Sequence, residues 1–272
     1  MRFSKVGWWR RTGRRLNLAR RALQGTVGAT CILLGALPSL AAPDQVPPFE
    51  RTETREPCAA YTPTRQALFG DTHIHTTLSQ DASTQGTRTT PAEAYAFAKG
   101  ARLDIQPWRN DGSGVRTVQI DRPLDFTALT DHAEQIGEVH ICKTPGAPGY
   151  DSWVCMLYRG WPRGAYYVMN ATYSYSTDRW GYCGDDDEHC RDAAATVWRE
   201  IRAAAEGAYD RSSACSFTSF VAYEWTASAP TAKNLHRNVI FRNAEVPPLP
   251  ISVMETSRDA RELWKQLQTE CV

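Results

Sequence analysis

Apolar and polar positions along this chain alternate in short runs, and those runs predict a mixed succession of strands and helices. Ala67-Leu-Phe69 leads into Gly70-Asp-Thr-His-Ile-His75, so a first strand is expected from Ala67 to about His75. Thr90-Pro-Ala-Glu93 has the form of a capping box with proline at the first helical position, which predicts a helix over Pro91–Lys99. Asn110-Asp-Gly-Ser-Gly114 marks a turn between two extended pieces, a hairpin. Leu124–Thr130 reads as a second core strand, Phe217–Glu224 as a third, and Asn238–Arg242 as a fourth extended piece. A long insertion rich in cysteine and aromatic residues fills about 137–216, with one helix expected over Arg191–Tyr209. Ser257 is placed to cap a last helix through Gln268. Strand, helix, strand order predicts the α/β class. Only three or four core strands can be counted, fewer than a barrel needs, and the chain reads as truncated at its C-terminal end.

The first 64 residues stand apart from this pattern. Eight Lys or Arg residues and no acid precede Ala42, and an uncharged stretch from Ala22 to Pro43 is centred on Ile32-Leu-Leu34. With Ser39-Leu-Ala41 offering small residues for cleavage, residues 1–41 are expected to be a signal peptide. The competing reading is an uncleaved membrane anchor, because the stretch approaches the roughly 18–20 residues that span a bilayer. Four helix-disfavouring residues, Gly25, Gly28, Gly35 and Pro38, argue for cleavage. Residues 42–64 read as a polar, proline-rich leader, and 65–272 as the folded domain. The expected location is therefore outside the cytoplasm, periplasmic or extracellular, with no stable membrane association after cleavage.

Cleavage changes the charge balance. The full chain carries 31 basic and 30 acidic residues, but without the segment before Ala42 it holds 23 basic residues against the same acids, a formal −7. An acidic chain without a basic stripe is a poor partner for the phosphate backbone, and nucleic acid is not expected as a ligand. The seven cysteines beyond Cys31 fit an oxidising compartment. Cys183 and Cys190 are close enough to staple one loop, and so are Cys142 and Cys155, although spacing does not fix connectivity. The odd count leaves one thiol over, and Cys271 is one residue from the end.

The candidate chemistry sits at the strand ends. In an extended strand, residues two apart share a face, so His73 and His75 aim two imidazoles at one point, as a divalent metal requires. The second core strand delivers Asp131 and His132 at its polar tip. Glu224 ends an otherwise apolar strand, where an unpartnered carboxylate is costly to bury. For Asp81 the competing role is to cap a turn with Ser79, and for His236 it is exposure on a hairpin. His140 and His189 fall in the insertion and are expected at the surface. Asp185-Asp-Asp-Glu188 lacks the alternating spacing of a calcium loop and reads as a solvated turn.

His73-Ile-His75 with Ser79-x-Asp81-Ala82, followed by Leu129-Thr-Asp131-His132, resembles the first two motifs of the PHP (polymerase and histidinol phosphatase) superfamily. Phe220-Val-Ala-Tyr-Glu224 and Leu235-His236-Arg-Asn-Val-Ile240 resemble its later ligand-bearing strands. The fuller wording Thr130-Asp-His-Ala-Glu134, Tyr223-Glu-Trp225 and Asn234–Asn243 is similar to the secreted PHP-like family known as domain of unknown function 3604. The resemblance covers essentially Cys58 to Cys271. It implies a partial, distorted (β/α)7 barrel with a long Cys-rich insertion. It further implies a site in which His73, His75, Asp81, His132, Glu224 and His236 hold divalent Zn, Mn or Fe, up to three ions when complete. Asp131, on the opposite face from His132, is expected to orient an imidazole. Asp71 is expected to line or support the site. The implied activity is metal-dependent hydrolysis by a metal-activated water, of phosphoesterase type, on a small phosphorylated molecule, with no protein nucleophile. The family's later His and Asp-x-His ligands have no counterpart after His236. The alternative is accordingly a truncated, catalytically incomplete fragment or binding module.

Overall fold

A computed structural model describes residues 53–228 and 234–271. The expected signal peptide, most of the leader and Cys31 lie outside the described residues. In chain order the elements are β1 (Gly70–Ile74), α1 (Gln80–Thr84), α2 (Pro91–Ala98), β2 (Leu103–Trp108), β3 (Gly114–Val118), β4 (Phe126–Leu129) and α3 (Ile136–Lys143). They continue as α4 (Trp153–Gly160), α5 (Pro162–Tyr175), α6 (Glu188–Ala208), β5 (Thr218–Phe220), β6 (Ala222–Ser228), β7 (Asn234–Ile240), α7 (Val253–Thr256) and α8 (Ala260–Glu270). The class is mixed α/β, as expected. The strands form three small sheets, and no closed barrel is present among the described residues.

The central sheet has the order β1-β4-β5 with both pairs parallel. Parallel neighbours require long crossovers. One is supplied by α1, α2 and the β2–β3 hairpin, the other by the whole insertion. Helix α2 begins where the capping box places it: Glu93 N donates to Thr90 Oγ1 at 3.4 Å and Thr90 N donates to Glu93 Oε2 at 2.8 Å. Parallel pairing puts the C-terminal tips of β1 and β4 side by side, with Ile74 opposite Leu129.

The third predicted strand is longer than expected and interrupted once. After β5 it resumes as β6, every residue of which is buried or nearly so. Its period-two alternation serves two purposes. Tyr223 and Trp225 enter the main core with Trp198 and Phe217, while Glu224 and Thr226 face the other way. The Trp225 indole donates to Thr256 Oγ1 at 2.9 Å, which satisfies its one polar atom inside the core. Strand β7 pairs antiparallel with β6 and starts at Asn234, four residues before the expected extended piece, so His236 lies mid-strand opposite Thr226.

The insertion departs furthest from expectation, with four helices where one was predicted. Helix α6 spans Glu188–Ala208, close to the predicted range. Helix α3 has almost no amphipathic pattern, whereas α4, capped by Ser152, has a clear one that runs for only eight residues, and the aromatic-rich α5 is intermediate. What orders them is a second apolar cluster built from Val139, Ile141, Val154, Tyr158, Ala165 and Met169 together with four cysteines. Those cysteines pair as Cys142–Cys155 and Cys183–Cys190. A third disulfide, Cys58–Cys215, ties the end of the leader to the turn before β5. Among the described residues Cys271 is the free thiol, and it is exposed. The final helix is capped by Asp259, which accepts from Arg261 N at 2.9 Å, instead of by Ser257, which adopts a left-handed φ of 47°. No helix among the described residues is long and apolar enough to cross a membrane.

Candidate metal centre

All six residues expected as ligands come together at the tips of β1, β4 and β6. Glu224 is at the middle, with a side chain that is 0% exposed. Its Oε2 lies 3.2 Å from His73 Nε2 and 2.7 Å from His75 Nε2, as the two-residue spacing on β1 predicts. The same oxygen is 3.7 Å from His132 Nδ1, and Glu224 Oε1 is 2.5 Å from His236 Nδ1. Four of the chain's six histidines thus surround one buried carboxylate. Asp81 closes the other side: its Oδ2 is 3.0 Å from His75 Nδ1 and 3.8 Å from His132 Nε2.

Local structure explains these positions. Thr76 N and Oγ1 donate to the two oxygens of Asp131 at 2.5 and 2.8 Å, which locks the end of β1 to the end of β4. A parallel bridge continues the sheet by pairing His132 with Glu224, with Glu224 N donating to Asp131 O at 3.0 Å. Ser79 Oγ donates to Asp81 Oδ1 at 2.6 Å and accepts from His132 N at 3.2 Å. Asp81 is therefore held by Ser79 in a turn while it faces two imidazoles. Asn238 Nδ2 on β7 donates to Thr72 O at 2.8 Å, bringing the His236 strand over the tip of β1.

Asp131 is not where the sequence reading put it. It contacts the backbone and hydroxyl of Thr76 and makes no hydrogen bond to an imidazole. The carboxylate beside that ring is instead Glu134, whose Oε2 lies 3.6 Å from His132 Nδ1. Glu134 Oε1 is anchored by Thr226 N at 3.0 Å and Val253 N at 3.3 Å. Thr226 Oγ1 adds contacts of 3.0 Å to the Nδ1 atoms of both His132 and His236. A signal for Glu134 was present, since it follows His132 by the same two-residue step that links His73 to His75. Asp71 supports β1 locally by accepting from His73 N at 3.0 Å. His140 and His189 lie on the insertion, away from the cluster.

The electrostatics describe an electron-rich pocket in need of cations. Burial lowers the pKa of His75, but hydrogen bonds and charge from Asp81 and Glu224 outweigh it and lift the group to about 10. Burial likewise raises Glu224, yet the hydrogen bond from His75 and the charge of His132 bring it to about 2. Asp81 is held well below the usual carboxylate range against its own burial, by His75 and His132. Burial is the dominant influence on Asp131 and pushes it to about 6, despite the bonds from Thr76. The His75 and His132 imidazoles, both raised by the carboxylates around them, thus act as counter-ions to those carboxylates.

The donor set fits divalent ions on its own chemistry. Ligand atoms fall into three overlapping groups, His73–His75–Glu224, His75–Asp81–His132 and His132–Glu224–His236, each within 4.8 Å. Mixed imidazole and carboxylate donors suit Zn, Mn or Fe. Glu224 Oε1 and Glu134 Oε2 are buried without a well-formed hydrogen bond, each facing an imidazole Nδ1, of His236 at 2.5 Å and of His132 at 3.6 Å. A fourth group, Glu138 with Cys183 and Cys190, is no metal site, because those sulfurs are joined in a disulfide and only thiolates ligate.

The profile of the family described as protein of unknown function (DUF3604) matches residues 62–272. The chain belongs to the DUF3604 family. Neither a curated protein nor a solved structure matches it. The matched region of this DUF3604 member contains all six converging residues, together with Asp131 and Glu134.

Proposed function

We propose that this DUF3604 protein is an exported, metal-dependent hydrolase of the phosphoesterase type, related to the PHP superfamily and built as part of its distorted (β/α)7 barrel. The observation that carries the reading is the convergence of His73, His75, His132 and His236 on the buried carboxylate of Glu224, with Asp81 alongside. Residues His73, His75 and Glu224 would hold one Zn, Mn or Fe ion, His75, Asp81 and His132 a second, and His132, Glu224 and His236 a third. Bound there, such ions lower the pKa of a coordinated water to about 7 and offset charge on phosphoryl oxygens. The protein's own residues supply position. Glu224 links the groups, Glu134 and Thr226 fix the rotation of the His132 ring, and Asp131 holds β1 against β4 so that His75 faces its partners. A tuned imidazole orientation of this kind commonly contributes about 10–100-fold in metal affinity.

Export is supported by the three disulfides and by the basic, then apolar, N-terminus. The substrate on this reading is a small phosphorylated molecule, and nucleic acid is not a partner. Purified protein should retain divalent metal through dialysis and hydrolyse p-nitrophenyl phosphate or its diester when Mn²⁺ or Zn²⁺ is added. Protein that binds no metal sinks the proposal. A second reading, a metal-binding module without turnover, draws on the absence of any residue after His236 from the donor groups among the described residues. Stoichiometric metal without hydrolysis of any phosphoester would favour it.

A further inference from the structure

Beside the donor cluster lies a cavity of about 200 Å³, walled by His132, Asp81 and His236 on one side and by Gln80 of α1, Gln135 just before α3, and residues of α5 on the other. Larger hollows of about 560 Å³ occur between α2 and α6 and beside Trp161, but neither is lined by a histidine or a carboxylate. The cavity next to the chemistry is smaller than the roughly 300 Å³ at which pockets for drug-sized ligands begin. Its size suits a small group on the scale of a single sugar ring.

Its lining is selective. Gln135 is 2% exposed and held in a left-handed conformation, φ 59°. Its Nε2 donates to Met169 O at 3.0 Å, which leaves Oε1 buried without a donor. Glu134 Oε2, 3% exposed as a residue, is in the same condition. On the facing wall Asn170 Nδ2 donates to Gln80 Oε1 at 3.2 Å and to Tyr166 O at 2.8 Å, while its own carbonyl receives none of the described hydrogen bonds. Strain and unpaired acceptors of this kind persist where a ligand relieves them. An apolar group entering here would strand both acceptors, at a cost of about 1–3 kcal/mol each. An anion would meet Asp81 and Glu134, with no lysine or arginine on the described walls. A cation would sit against the ions proposed for the adjoining cluster. What remains is a neutral group that both donates and accepts.

We infer that this cavity is a binding subsite for a neutral, hydroxyl-rich group the size of one sugar ring, joined to the part of the substrate held at the donor cluster. The inference deepens the hydrolase reading and rests on it for the position of the scissile bond and, through the ions proposed there, for the exclusion of a cation. Saturation-transfer NMR on the zinc-loaded full chain tests it, with glucose as the polyol probe, cyclohexylamine as the cation and glucuronate as the anion. Glucose should give the strongest transfer, and Asn170→Leu, at a half-buried position, should weaken it about five- to tenfold, the worth of about one hydrogen bond. Gln135→Leu should do the same, and unchanged circular-dichroism melts show that each variant is folded. No transfer to glucose, stronger transfer to either charged probe, or indifference to both substitutions overturns the subsite. Hydrolysis of glucose 1-phosphate and phenyl phosphate separates the two proposals. Glucose binding without hydrolysis of either ester leaves the subsite standing and removes the hydrolase. Hydrolysis without glucose binding does the reverse.

Discussion

The strand tips and the helical insertion solve the same problem, order without a large core, by opposite means. At the tips of β1, β4 and β6 the contacts are polar and charge-laden, with Glu224 wholly buried among imidazoles. In the insertion the contacts are mainly apolar and covalent, with Cys142, Cys155, Cys183 and Cys190 all fully buried inside the second cluster and the buried Arg179–Glu138 pair, 2.9 Å apart, matched charge for charge. A buried ion cluster stabilises weakly by itself because desolvation offsets attraction. Its cost is reasonable only if it serves binding. Disulfides serve stability and say nothing of chemistry. The difference teaches where to look for function: in the region that is electrostatically expensive, not in the one that is rigidly stapled.

That contrast can be broken most directly at Glu224. Glu224→Gln keeps the shape but removes the central charge, and metal content by elemental analysis should fall from stoichiometric to background while the fold survives. Retained metal would show that the carboxylate is structural. Next in size, the Cys142→Ser/Cys155→Ser pair should cost about 3 kcal/mol, as for a loop of about 15 residues. Denaturant melts should show this loss, and metal content should not change. Glu134→Gln should weaken metal binding about 10–100-fold, about 1.4–2.7 kcal/mol, read by competition with a chromophoric chelator. An unaltered affinity would mean that Glu134 does not orient His132.

The smallest effect sharpens the comparison through pH. In metal-free protein the His75 pKa is raised from 6.5 to about 10, so its contribution is fully present below 6.5 and is lost as pH rises through 10. The melting temperature of the metal-free form should therefore drop by on the order of 5 °C between pH 7 and 10. With Zn²⁺ bound the ring is a neutral ligand and the drop should vanish. Equal drops with and without metal would place His75 outside the coordination sphere.

Much of the site could be read from spacing because ligand chemistry has few solutions. The His73–His75 step, the Asp131-His132 tip and Glu224 at the end of an apolar run each point to one face or one end of a strand. The same rule, applied once more, would have found Glu134 two residues after His132. Asp131 was misplaced because its partner, the Thr76 backbone, is 55 residues away and declares nothing in its side-chain pattern. Helices α3, α4 and α5 were missed for a related reason. Their order comes from packing on one another and on α6, since isolated helices of eight to fourteen residues are marginal whatever their local pattern.

Sequence alone determined the donor types, their order along the chain, the capped start of α2 and the suitability of the cysteines for an oxidising compartment. Those properties are local: a two-residue period, a four-residue box, a count. Only the tertiary structure decided that Cys58 pairs with Cys215 and that Glu134 stands beside His132. It also decided that Gln135 keeps an unpaired oxygen in a cavity against α5. Each of these joins segments or faces whose meeting is set by how β4 extends past Leu129 and how the insertion folds back. No period or propensity within one segment carries that information.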